Sequence, residues 1–71
     1  MRVSDLMEDG RPIKGARLKI RVPEPFVVKK LRGKIVQGEF LGFSRRGTTI
    51  TVNVLISGRK YGFRPQDVER A

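Results

Sequence analysis

Thr48-Thr49-Ile50-Thr51-Val52-Asn53-Val54-Leu55-Ile56 runs straight into Ser57-Gly58 and then into Arg59-Lys60-Tyr61-Gly62-Phe63-Arg64. The first run is β-branched except at Asn53 and Leu55 and holds no Gly or Pro. Such side chains suit a pleated, half-buried surface and lose rotamer freedom in a helix. Ser57-Gly58 is a tight two-residue turn, so the second run returns as an antiparallel strand with Tyr61 and Phe63 on one face. The expected inner face of the first strand is Thr48, Ile50, Val52, Val54 and Ile56.

Outward from this hairpin the same period continues. Ser44-Arg45-Arg46-Gly47 reads as a hairpin loop, with Gly47 available for a positive φ. Leu31 to Phe43 reads as one long strand whose alternation breaks: Leu31, Gly33 and Ile35 share a face, while Phe40 has the opposite parity. Gly38 is the natural place for a bulge or sharp bend, and Gly42 for another. Ala16, Leu18, Ile20 and Val22 alternate with Arg17, Lys19 and Arg21, a strand with a wholly cationic outer face. Pro23-Glu24-Pro25 ends it. Phe26 to Val28 is a loop or short strand leading into Lys29-Lys30. Downstream, Pro65 to Val68 reads as one 3₁₀ turn, and Val68 to Ala71 as a last short strand.

The fold class expected is all-β: a small five-stranded barrel over 16–71, closed or nearly closed, with one 3₁₀ turn before the last strand. Closure follows from size, because a flat sheet of this length would leave one face bare. Leu18, Ile20, Ile35, Leu41, Ile50, Val52, Val54 and Phe63 form its expected core. Residues 1–15 read as an N-terminal arm or single helical turn, Ser4 capping a turn through Asp5, Leu6, Met7 and Glu8. Two readings of it stay open: an ordered plug that inserts Leu6 and Met7 into one end of the barrel, or a partly ordered arm.

Sixteen Lys and Arg against seven Asp and Glu give a formal charge of +9 over 71 residues, which calls for an anionic partner, nucleic acid first. An anionic membrane or an acidic protein surface comes next. With no Cys there is no disulfide framework and no thiolate metal site. That, with no apolar run of membrane-spanning length and no signal-peptide core, points to a cytoplasmic protein. A domain this small is marginal alone, so oligomerisation is compatible with it.

An enzyme is not expected. There is no His and no Cys, and the carboxylates are scattered. Asp5, Glu8 and Asp9 lack the glycine and ligand count of a calcium loop. Gly33-Lys34 lacks the rest of a phosphate-binding loop. No cofactor or metal is implied.

The stretch Tyr61-Gly62-Phe63-Arg64-Pro65-Gln66-Asp67-Val68-Glu69 resembles the closing strand, 3₁₀ turn and last strand of the SH3-like small-barrel superfamily. Leu31-Arg32-Gly33-Lys34 through Phe43, with the β-branched strand and hairpin after it, is similar to Sm-like barrels and to the C-terminal barrel of the bacterial ribosome-maturation factor P family. The resemblance covers Ala16 to Ala71 and rests on the order of elements. It implies an SH3-like barrel and a bias towards RNA. No individual residue carries over: the Asp and Asn of the Sm RNA loop have no match at Ser44-Arg45-Arg46-Gly47, and an SH3 peptide groove needs aromatics this chain lacks.

The expected function is therefore phosphate-directed binding of nucleic acid, RNA over DNA, with a protein-interaction adaptor as the alternative. Arg17, Lys19 and Arg21 lead the candidates, since alternation sets them on one face about 6.5 to 7 Å apart, near the phosphate repeat of one strand. The loop pair Arg45 and Arg46 joins them. Lys30, Arg32 and Lys34, beside Lys29, form a second cluster, with Arg32 and Lys34 on one strand face. Arg59 and Lys60 flank the next turn, and Arg64 follows. Of the aromatic residues, Tyr61 is the best candidate for partial exposure.

Overall fold

The computed structural model describes residues 3–71, and it is all-β. After a 3₁₀ turn, η1 (Val3–Leu6), come β1 (Met7–Glu8), β2 (Arg11–Pro12) and β3 (Arg17–Arg21). A second 3₁₀ turn, η2 (Lys29–Leu31), precedes β4 (Ile35–Arg46), β5 (Thr49–Ile56) and β6 (Arg59–Phe63). The turn η3 (Pro65–Asp67) and β7 (Val68–Arg70) close the chain. The strands β3 to β7 make one antiparallel sheet in the order β6-β5-β4-β3-β7, and β1 with β2 makes a separate small hairpin.

The strand β4 does the work of two. Its first part, Ile35 to Glu39, pairs with β3, and its second, Glu39 to Arg46, pairs with β5. Such a shared strand lets one sheet curl over itself. All five strands accordingly feed one buried cluster: Leu18 and Ile20, Phe40, Val52 with Val54 and Ile56, Phe63, and Val68. No ladder joins the edges β6 and β7; η3 spans the gap between them and packs against β5 and β7.

Register explains where the core differs from expectation. Leu18, Ile20, Val52, Val54 and Phe63 are buried as expected, but Ile35 is 57% exposed and Leu41 and Ile50 are only half-buried. Ile35 pairs with Arg21 and so shares its outward face, while Val36, Gly38 and Phe40 face inward. The bulge falls at Leu41, where the register slips between Phe40 and Gly42. Without that extra residue Phe40 and Phe43 would lie on opposite faces. With it both turn inward and meet edge to face, centroids 5.0 Å apart. Gly38 causes no slip and serves instead as the point of closest approach: a Cβ there would lie 2.4 Å from Val54 Cγ1.

Three boundaries also move. The long strand starts at Ile35 rather than Leu31, because η2 and then Gly33 at φ +70° turn the chain. Gly33 N–H donates to the Val22 carbonyl and Val22 N–H to that of Lys34, so the turn is pinned to the end of β3. Arg32 and Lys34 therefore do not share a strand face. At the far end Arg45 and Arg46 belong to β4, paired with Ile50 and Thr49, and the turn shrinks to Gly47-Thr48. That leaves Thr48 exposed. At the N-terminus η1 ends at Leu6 and Met7 starts a strand, so the helical turn expected through Glu8 does not form. Leu6 is fully buried in the common core, Met7 half-buried. Ile13 N–H donates to the Leu6 carbonyl and Gly15 N–H to that of Phe40, tying the segment to the sheet.

Candidate nucleic-acid interface

The register distributes the expected cations over different faces. Arg17, Lys19 and Arg21 do line the outer face of β3, all exposed. Acids interleave with them. Glu39 stands directly opposite Arg17, and Lys19 Nζ lies 3.9 Å from Glu69 of β7. Arg17 also donates to Gln37 Oε1 at 3.4 Å. A groove beside this row takes in Lys19 and Arg21, but equally Asp67 and Glu69, with the exposed Ile35. The row is a mixed-charge surface, and a polyanion laid on it meets carboxylates as well as cations.

Arg45 and Arg46, as neighbours in a strand, point to opposite faces, and Arg45 Nε donates to the Gly47 carbonyl at 2.9 Å. Arg32 is held by a hydrogen bond from its Nε to the Phe26 carbonyl. Arg64 is engaged by Asp67 at 2.9 Å, and its guanidinium is raised above the usual arginine range by that hydrogen bond and by the attraction between the charges. Lys60 sits on the outer face, opposite Leu55, whereas Arg59 and Tyr61 face the concave side with Ile56 and Val54.

One place gathers cations without acids. The connection from β3 to β4 and the turn from β5 to β6 lie at the same end of the sheet. Between them runs an open groove lined by Lys29 and Lys30 of η2, Arg59, and Tyr61, over an apolar floor of Val28, Leu31 and Ile56. No Asp or Glu lines it, and neither salt bridge among the described residues involves its cations. The sequence explains the local geometry. Ser57, at φ 50°, and Gly58, at φ +81°, form the tight turn that delivers Arg59 to the rim. The 3₁₀ turn η2 presents the sequence neighbours Lys29 and Lys30, both exposed.

Aromatic stacking fixes the wall. Phe26 lies against Phe63, centroids 5.1 Å apart and rings 17° from parallel, and tilts at 58° onto Tyr61 at 5.5 Å. Phe26 thus covers the core beside the edge strand β6 and braces the half-buried Tyr61. The Tyr61 hydroxyl makes no hydrogen bond among the described residues.

The sequence offers Lys30, Arg59 and Tyr61 as candidates, with Lys29 beside them, but nothing in it joins the two segments. Their union depends on the fold of residues 22–34, whose proline pair and 3₁₀ turn carry no periodic signal. Among the described residues no group of three or more acids could hold a metal ion. No family model, curated protein or solved structure matches this chain.

Proposed function

We propose that this protein is a small SH3-like barrel that binds nucleic acid, RNA in preference to DNA, chiefly through phosphate contacts. The observation that carries the reading is the acid-free groove of Lys29, Lys30 and Arg59. Three cations lining one groove that no carboxylate lines make a local field that attracts a polyanion. The strand order β6-β5-β4-β3-β7, with a 3₁₀ turn before the last strand, supports the SH3-like scaffold. The preference for RNA rests on the resemblance described above.

A titration of labelled oligonucleotide, followed by fluorescence anisotropy at two salt concentrations, tests it. If the three groove cations each neutralise one phosphate, a fourfold rise in salt weakens binding roughly 20- to 40-fold. Absence of binding at low salt refutes the reading.

One observation favours the adaptor reading as the second choice. The mixed-charge groove beside β7, with Ile35 exposed in it, has the chemistry of a protein contact rather than a polyanion track. In that reading the free edge of β7 or β6 accepts a strand of the partner.

A further inference from the structure

We infer that the groove takes single-stranded nucleic acid, with one unstacked base laid on Tyr61 and the flanking phosphates held by Lys29 and Lys30 on one side and Arg59 on the other. The inference rests on the phosphate-binding reading and goes further, to the form of the ligand.

The groove is more than a cationic patch. Its floor is apolar, built from Val28, Leu31 and Ile56, and its wall is an aromatic ring. A duplex offers phosphates and sugars at its surface and keeps its base faces stacked inside. Against a duplex, an apolar floor and a ring would gain nothing and would lose water-exposed phosphate contacts. An extended single strand offers both kinds of group at once, a charged backbone and a free base face. The groove therefore matches the single strand on two independent chemical features, where the duplex matches on one.

Tyr61 is suited to the task by its position. It stands on the edge strand β6 and is half-buried, so part of the side chain packs on the core while part lines the groove. Phe26, tilted against it, holds the ring in place, so little side-chain freedom remains to be lost on binding. The hydroxyl, unpaired among the described residues, is available to a base edge or sugar. Arg59 lies two residues before it on the same face of β6, within the spacing of adjacent nucleotides.

The chain supplies its own reporter. It has one Tyr and no Trp, so all its intrinsic tyrosine fluorescence comes from residue 61. The full chain is titrated with a single-stranded oligouridylate, a duplex of the same length, and a polyglutamate peptide of matched charge. Emission is read with correction for absorbance, and affinity by anisotropy. The expected result is quenching that saturates in step with binding of the single strand and is absent with duplex and with polyglutamate. Tyr61→Leu keeps an apolar contact for Phe26 but removes the π face. It should lower single-strand affinity about five- to a hundredfold, the loss typical of one stacking ring, and leave duplex affinity unchanged. Tyr61→Phe should retain most of the affinity. Circular dichroism of each variant checks the fold, and the wild-type quenching stands without them.

Salt-dependent binding of both nucleic acids with no tyrosine quenching, or equal affinity of wild type and Tyr61→Leu, overturns the stacking and leaves phosphate binding standing. Polyglutamate bound as tightly as the single strand, and quenching as much, overturns it in favour of an acidic protein ligand. No binding of either nucleic acid at low salt removes the underlying reading itself.

Discussion

Replacing Gly38 by Ala separates two opposing effects whose sizes can be set against each other. Gly38 sits within β4, where it pairs with Leu18, and its φ is not in the left-handed region. Ala there costs no backbone strain, and relief of glycine's entropy favours the variant by about 0.5–1 kcal/mol. Against this, the new methyl would lie 2.4 Å from Val54 Cγ1, 2.8 Å from the Leu55 carbonyl oxygen and 3.0 Å from Ile56 Cγ1. Val54 is fully buried with a stiff χ1, and Leu55 O belongs to the β5 backbone, so neither can step aside. Overpacking of this kind costs typically 1–3 kcal/mol, and three contacts at once argue for the upper half. The net expectation is a loss of about 1–2.5 kcal/mol. At about 4–8 °C per kcal/mol for a domain of this size, Gly38→Ala should melt roughly 5–20 °C below wild type in a circular-dichroism scan. Gly47→Ala is the reference. It has open space around the new methyl but φ +61°, and should lose only the left-handed penalty of about 1–2 kcal/mol, with no change in core packing. If Gly38→Ala melts at or above wild type, β4 does not approach β5 as described, and the curl of the sheet at that point is wrong.

Two further outcomes follow from the same physics. Leu6→Ala should cost about 2–5 kcal/mol, a large part of the roughly 4–11 kcal/mol expected for 71 residues, because Leu6 is wholly enclosed by the common core; a urea midpoint equal to wild type would make the N-terminal segment a loose arm. Oligonucleotide affinity at fixed salt should be flat from about pH 6 to 8, since the chain has no His and the groove is lined by Lys, Arg and Tyr alone among ionisable groups. Arg64, raised by Asp67, keeps its charge throughout that range, its stabilising contribution being lost only as pH climbs through its elevated folded value. A steep pH dependence of affinity would require a titrating group outside the groove.

The strands were legible because alternation is a local property. Arg17–Arg21, the Ser57-Gly58 turn and the hairpin around it lie within about one residue of their sequence reading. What failed to read was set at longer range. The parity of β4 depends on which residue bulges, and Leu41 carries no sign of it; Gly38 and Gly42 advertise bends without saying which one slips. Ile35 looked like core by composition and is turned outward by its pairing with Arg21. The same holds for the cations. Alternation correctly put Arg17, Lys19 and Arg21 on one exposed face, but Glu39 and Glu69, which dilute it, arrive from β4 and β7. Lys29 and Lys30 lie far from Arg59 in sequence and share a groove with it only through the fold of residues 22–34.

If the groove is the nucleic-acid interface, location rather than total charge determines binding, and two equally charged triple variants separate the two. Lys29→Gln/Lys30→Gln/Arg59→Gln empties the groove of cations, while Arg17→Gln/Lys19→Gln/Arg21→Gln removes the same charge from β3. Each is titrated with a single-stranded oligonucleotide across a salt series, alongside wild type. Removal of the groove cations should flatten the slope of log K against log salt by about 2, at roughly 0.7 per phosphate on a single strand, and the β3 variant should change it by less than about 1. Equal flattening by both variants, or a larger effect from β3, would contradict the assignment of the interface to the groove.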